Sequence, residues 1–147
     1  MTLRKTFKTD AAAELEGVWA DMAYSDKLEA PISFKLARMS PANKQYATAL
    51  ERAYRPHEAQ QRAGTLSPEL GNSIFRRVFC DTILKDWRNV TKADFTGDEN
   101  DTDLVPYSAE EAFKLLTDLP DLERMLIEKA TGLAAYTEAT QEADAKN

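Results

Sequence analysis

The stretch from Ser67 to Val90 constrains this chain more than any other. Ser67 is suited to cap a helix and Pro68 to fill its first position, because the hydroxyl accepts an orphan amide and proline has no amide to lose there. Apolar side chains follow at Leu70, Ile74, Phe75, Val78, Phe79, Ile83, Trp87 and Val90, three and four residues apart. That spacing predicts a helix of about 22 residues with Phe75, Phe79, Ile83, Trp87 and Val90 on one stripe, and Arg76, Arg77, Lys85 and Asp86 largely outside it. The stripe is expected to be core, with Trp87 its largest anchor.

A chain of 147 residues is long enough to surround such a helix. A domain of about 150 residues removes roughly 70% of its unfolded surface from water, so one domain suffices. With 43% hydrophobic and 30% charged residues, the composition is that of a folded soluble protein. No apolar run approaches the roughly 20 residues that cross a bilayer, and the N-terminus lacks the apolar stretch of a signal peptide. The expectation is a cytosolic protein with no membrane partner. The single cysteine, Cys80, excludes an intrachain disulfide and a thiolate metal cluster, and reads as a small buried apolar residue. The net charge of −6 divides unevenly: residues 1–90 hold 14 Lys and Arg against 11 Asp and Glu, and residues 91–147 hold 5 against 14. This polarity can orient an association with a partner or with a second copy.

Before the helix, the pattern alternates. Val18, Ala20 and Met22 share one face of a strand expected within 15–22, and Ile32, Phe34 and Leu36 share a face of another within 32–39. The residues between them, rich in Ser, Asp and Pro, make the pair an antiparallel hairpin whose apolar face must rest on helices. Ser40 and Pro41 offer a second cap-then-proline start, predicting a helix over 42–54 that Pro56 ends or kinks. After Val90 the period stops. Residues 91–103, with Gly97 and Asp94, Asp98, Glu99, Asp101 and Asp103, read as an exposed loop. Ser108 and Glu111 form a capping-box pattern opening a helix striped by Ala112, Phe113, Leu116 and Leu119, and Pro120 starts another bearing Leu122, Met125, Leu126, Ala130, Leu133 and Tyr136. The predicted fold is α+β and mostly α, an N-terminal antiparallel hairpin (14–39) packed on a small helical bundle (42–136). Residues 1–13 and the acidic tail 138–147 are expected to be flexible ends of a single domain, 14–137.

Little in this chain points to chemistry. The acidic loop does not place oxygen ligands and glycine at the positions a calcium-binding loop requires, so no metal is expected. His57 is the only histidine and has no nucleophile motif around it, and the five glycines are scattered rather than gathered into a phosphate loop. Arg76, Arg77, Lys85 and Arg88 make the most basic stretch, but the aromatics among them belong to the core stripe, so no nucleic-acid partner is expected. The chain reads as a non-enzyme without cofactor that acts through its surfaces.

Four local patterns carry a family resemblance over residues 8–136. They are Glu14, Gly17, Val18 and Trp19 entering the first strand; residues 33–38 followed by Asn43, Tyr46, Tyr54, Arg55 and Pro56; Ile83, Leu84, Asp86, Trp87, Asn89 and Val90; and Val105, Pro106, Tyr107, Ser108 and Glu110 leading to Leu115, Leu116, Leu119, Pro120 and Leu122. In order and spacing the chain resembles the tail assembly chaperones of long-tailed bacteriophages and their prophages. It departs from them in its longer acidic loop and in Asn89, where glycine is common. The resemblance implies a protein of the host cytoplasm, absent from the mature virion, that binds the tape measure protein, keeps it soluble and helps recruit tail tube subunits. It also implies that a frameshifted, extended form can exist. Self-association is a further expectation, and a minor or completion protein retained in the tail is the alternative. Candidate partner contacts are Trp19, Tyr54, Tyr107, Phe113 and Tyr136; Phe75, Phe79, Ile83, Trp87, Leu116 and Leu126 are assigned to the core.

Overall fold

In the computed structural model, which describes residues 2–146, the alternation before residue 40 becomes a hairpin. β1 (Val18–Ser25) runs antiparallel to β2 (Ala30–Leu36), with Val18 opposite Leu36 and Ala20 opposite Phe34. Because side chains alternate across a strand, this register gathers the apolar set on one face. Phe34 and Leu36 are buried there. Gly17 enters β1 at φ 101°, and a Cβ there would lie 3.1 Å from the Leu36 carbonyl carbon, so only glycine lets the strand start this close to β2. The strands are shifted from the expected 15–22 and 32–39: Leu15 falls in the preceding helix, and Met39 lies beyond β2.

The hairpin gains a third strand from within the stretch predicted to be one long helix. α5 (Pro68–Thr82) begins as expected, Ser67 Oγ accepting from the Leu70 amide at 3.2 Å, but it stops before Trp87. β3 (Leu84–Arg88) follows at once and pairs antiparallel with β2, giving the order β1-β2-β3. The single helix is therefore corrected to a helix and a strand. The reason lies in the register: Trp87 faces Phe34 and Asp86 faces Lys35, yet Leu84 faces Leu36, leaving Lys85 as an extra residue. A bulge of this kind returns residues three apart to the same face. Leu84 and Trp87 are thus both buried at a spacing that also fits a helix. Pairing prevails because it occupies the second edge of β2, and a two-stranded hairpin alone is marginal.

The helices cover one face of this sheet. α3 (Lys44–Tyr54) is capped by Asn43, whose side chain accepts from the Tyr46 amide at 3.2 Å, rather than by Ser40 and Pro41. The Asn43 amide group also donates to the Arg38 carbonyl at 3.0 Å, which fixes the cap to the end of the sheet. A short turn at Arg55–His57 and α4 (Glu58–Ala63) lead to Gly64, which ends the helix at φ 68°. Ser108 caps α7 (Ala109–Asp118) through the Glu111 amide at 3.1 Å, as the sequence pattern requires, and α8 (Pro120–Thr131) follows without a loop.

Phe79, Ile83, Trp87, Leu116 and Leu126 all lie in the buried cluster, and Phe75 packs against it. The stripe of α7 differs from the prediction. Ala112, Leu115 and Leu116 are buried, whereas Leu119 is 42% exposed. Leu119 is the residue before Pro120 and leaves helical geometry at φ −123°, ψ 73°, which turns it out of the core. Met125 on α8 also faces outward.

The acidic stretch after β3 and the two ends of the chain hold regular structure among the described residues. Residues 91–103 contain α6 (Ala93–Thr96), with the Asp94 carboxylate accepting from the Thr91 amide at 2.8 Å and Phe95 against the Trp87 indole. The stretches 1–13 and 138–147 were expected to be flexible, and their outermost residues lie outside the described ones. The described residues of these ends include α1 (Leu3–Phe7), the start of α2 (Ala11–Glu16) and α9 (Glu138–Lys146). These ends meet: Thr9 bridges to Thr137, the Asp10 amide donates to the Tyr136 carbonyl at 2.8 Å, and the Glu138 amide donates to the Lys8 carbonyl at 3.0 Å.

Candidate functional site

Where the sheet meets α7 and α8 the packing stays open. Met22, Ala23, Ile32 and Phe34 from the hairpin face Val90, Leu115, Leu119 and Leu122 across a crevice of ≈ 200 Å³ whose one charged wall residue is Asp94. Each wall has a local cause. Met22 is the extra residue that bulges β1 between Asp21 and Ala23, and Leu119 is displaced by the helix break at Pro120. The bulge and the break leave apolar side chains half covered on opposite sides of a gap. Chemically the crevice can receive an apolar side chain from outside, since its lining offers almost no hydrogen-bonding group.

A second, more polar cleft of ≈ 340 Å³ adjoins it, sharing Ile32 and Asp94 and walled by Tyr24, Asp26, Lys27, Thr91, Glu99 and Thr102. Among the described residues, Asp26, Asp94 and Glu99 take part in no ion pair. A separate open groove of ≈ 520 Å³ runs along α3, lined by Met39, Tyr46, Leu50 and Tyr54.

The five residues expected to contact a partner do not come together. Trp19 lies on β1 opposite Lys35, half-buried beneath the Arg88 guanidinium at 3.7 Å. Tyr54 walls the α3 groove and donates its hydroxyl to the Gly71 carbonyl at 3.3 Å. Tyr107 is structural: its hydroxyl donates to the Leu84 carbonyl at 2.5 Å, and its ring meets the Trp87 indole edge to face at 5.2 Å. Burial pushes its phenol above the ordinary range. Phe113 sits under the guanidinium of Arg77 at 4.1 Å. Tyr136 is a correction, because it is completely buried and its hydroxyl donates to the Leu36 carbonyl, so it offers nothing to a partner. The sequence reading missed Met22, Ile32, Leu119 and Leu122 as a site. Leu119 carried a usable signal: an apolar residue directly before a proline that begins the next helix.

The basic stretch noted in the sequence is occupied internally. Arg76 pairs with Glu123 of α8, both largely buried, and Arg77 pairs with Glu110 at 3.0 Å. His57 Nδ1 lies 3.2 Å from Gln60 Oε1, and Cys80 is buried, its thiol pushed up to about 12 by desolvation. Among the described residues, no three His, Cys, Asp or Glu side chains are placed to share a metal ion, and no helix is long and apolar enough to cross a membrane.

A family model described as YdaY prophage protein matches residues 41–147. That span includes β3, α7 and α8 but begins after β2, so the crevice is assembled from residues inside and outside it. No curated protein and no solved structure matches the chain.

Proposed function

The chain belongs to the YdaY prophage protein family, and we propose, beyond what that membership states, that it is a tail assembly chaperone acting non-covalently on the tape measure protein. The observation that carries this reading is the apolar crevice between the hairpin and α7–α8, with Leu119 exposed at its mouth. The order of sequence features over residues 8–136, which resembles tail assembly chaperones, supports it.

The mechanism is helix-in-groove capture. An apolar side chain of an amphipathic tape measure helix leaves water and fills the crevice. Full burial of one such side chain stabilises the complex by roughly 1.5–3 kcal/mol, which is weak alone. A long hydrophobic client presents many such side chains, and several chaperone copies along it shield it cooperatively without any one contact being tight. Weak contacts also release readily when tail tube subunits arrive. The protein works in the host cytoplasm, needs no cofactor and leaves before the virion is complete.

Coexpression with the tape measure gene of the same prophage tests this. The tape measure protein should become soluble and copurify, and Leu119→Asp should weaken both effects. Failure to copurify sinks the reading. Mass spectrometry of purified virions should find the chain absent; stoichiometric presence would favour a minor or completion protein of the tail.

A further inference from the structure

We propose that the crevice selects an amphipathic helix with a basic flank: one large apolar side chain enters between β2 and α7 while a Lys or Arg one turn away reaches Asp94 and Glu99. This rests on the docking role inferred above and specifies the chemistry of what docks. At ≈ 200 Å³ the crevice holds a single large side chain, so specificity must come from its rim. That rim is acidic. Asp94 Oδ2 is engaged by the Thr91 amide, but Oδ1 makes no hydrogen bond among the described residues. The adjoining cleft shares Asp94 and Ile32 and adds Asp26 and Glu99 against one cation, Lys27. On the opposite lip, exposed Asp118 and Asp121 flank Leu119 and Pro120, with Asp121 paired to Arg124 at 3.6 Å, so the unpaired carboxylate on that side is Asp118.

Residues three or four apart on a helix have Cβ atoms about 5–6 Å from each other, which suits two clefts that share two wall residues. A Lys or Arg at that distance from the apolar anchor meets Asp94 and Glu99, which take part in no ion pair among the described residues. A Glu there meets like charge on both lips. The same argument disfavours a second copy docking face to face, since the two acidic rims would repel.

The probes are two synthetic helical peptides of about 18 residues with the same leucine stripe, one flanked by Lys and one by Glu. Binding to the full chain is read by fluorescence anisotropy at low salt and at about 0.5 M salt. The Lys-flanked peptide should bind at least about tenfold more tightly at low salt, and the preference should shrink as salt rises. Asp94→Asn combined with Glu99→Gln should reduce the preference, and Leu119→Asp, checked for an unchanged circular dichroism spectrum, should abolish binding of both peptides. If both peptides bind alike and Leu119→Asp abolishes them, the basic flank is wrong and the docking crevice stands. If neither binds, or Leu119→Asp binds like the parent, the crevice reading falls and this inference falls with it.

Discussion

The Tyr136 hydroxyl donates to the Leu36 carbonyl at 3.0 Å across 100 residues of sequence, with the ring completely buried. The bond fastens the last turn before α9 to the end of the central strand. Tyr136→Phe keeps the ring and removes the bond to the Leu36 carbonyl, so it should cost about 0.5–1.5 kcal/mol. Tyr136→Ala removes the ring as well and should cost about 3–5 kcal/mol. Urea denaturation of both variants checks the order. Equal midpoints for parent and Tyr136→Phe would show that the carbonyl finds another donor.

Trp87 anchors an aromatic group made with Phe34, Phe95 and Tyr107, and its Nε1 donates to the Val105 carbonyl at 2.7 Å. Trp87→Ala is expected to lose about 3–5 kcal/mol. Trp87→Phe should lose less, retaining most of the packing and only the hydrogen bond disappearing. Thermal melts monitored by far-UV circular dichroism give both values.

Arg76 and Glu123 pair while largely shielded from solvent. Removing one partner strands the other charge, so Arg76→Leu and Glu123→Leu should each cost about 3 kcal/mol. The double variant should be markedly more stable than the sum of the two losses implies. A double-mutant cycle from denaturant midpoints measures this, and additive losses would mean the pair is not coupled.

Alkaline stability should depend on Cys80. Burial raises its thiol from the ordinary 9.0 to about 12, so above pH 9 the unfolded chain loses a proton that the folded chain keeps. Stability from this group is complete below 9 and falls by about 1.4 kcal/mol per pH unit as pH rises toward 12. Tyr136 and Tyr107, both raised by burial from 10.0, add to the loss above 10. Cys80→Ala should flatten the dependence between pH 9 and 10 and leave above it only the shallower fall that the tyrosines contribute. Denaturation midpoints at intervals of half a unit would resolve the two regimes.

How far the sequence could be read is clearest around Trp87. Its burial was legible, since a large apolar residue in register with Phe79 and Ile83 had to face the core. Its secondary structure was not, because the extra Lys85 gives Leu84 and Trp87 a spacing that a helix shares. Local capping chemistry was read correctly at Ser67 and Ser108, where a hydroxyl precedes an acidic first turn. At Ser40 the cap-then-proline signal failed, because Asn43 reaches both the Tyr46 amide and the Arg38 carbonyl, a tertiary contact that sequence does not display. The crevice was hidden for a similar reason. It is made of residues from the hairpin, from the turn after β3 and from the α7–α8 break, and only the fold brings them together.

The pairing of the chain's two ends sets a timetable for synthesis. β2 leaves the ribosome early, yet Leu84 and Trp87 that complete its second edge come about 50 residues later, and Tyr136 comes 100 residues after Leu36. At about 5–20 residues per second, the nascent hairpin waits roughly 5–20 s for its last fastening. For about the first half of that interval, until β3 emerges, the second edge of β2 is open, and the apolar face of the hairpin is bare until the helices behind it follow. Translation speed between residues 36 and 136 therefore bears directly on how much of the protein escapes aggregation, independent of how stable the finished fold is.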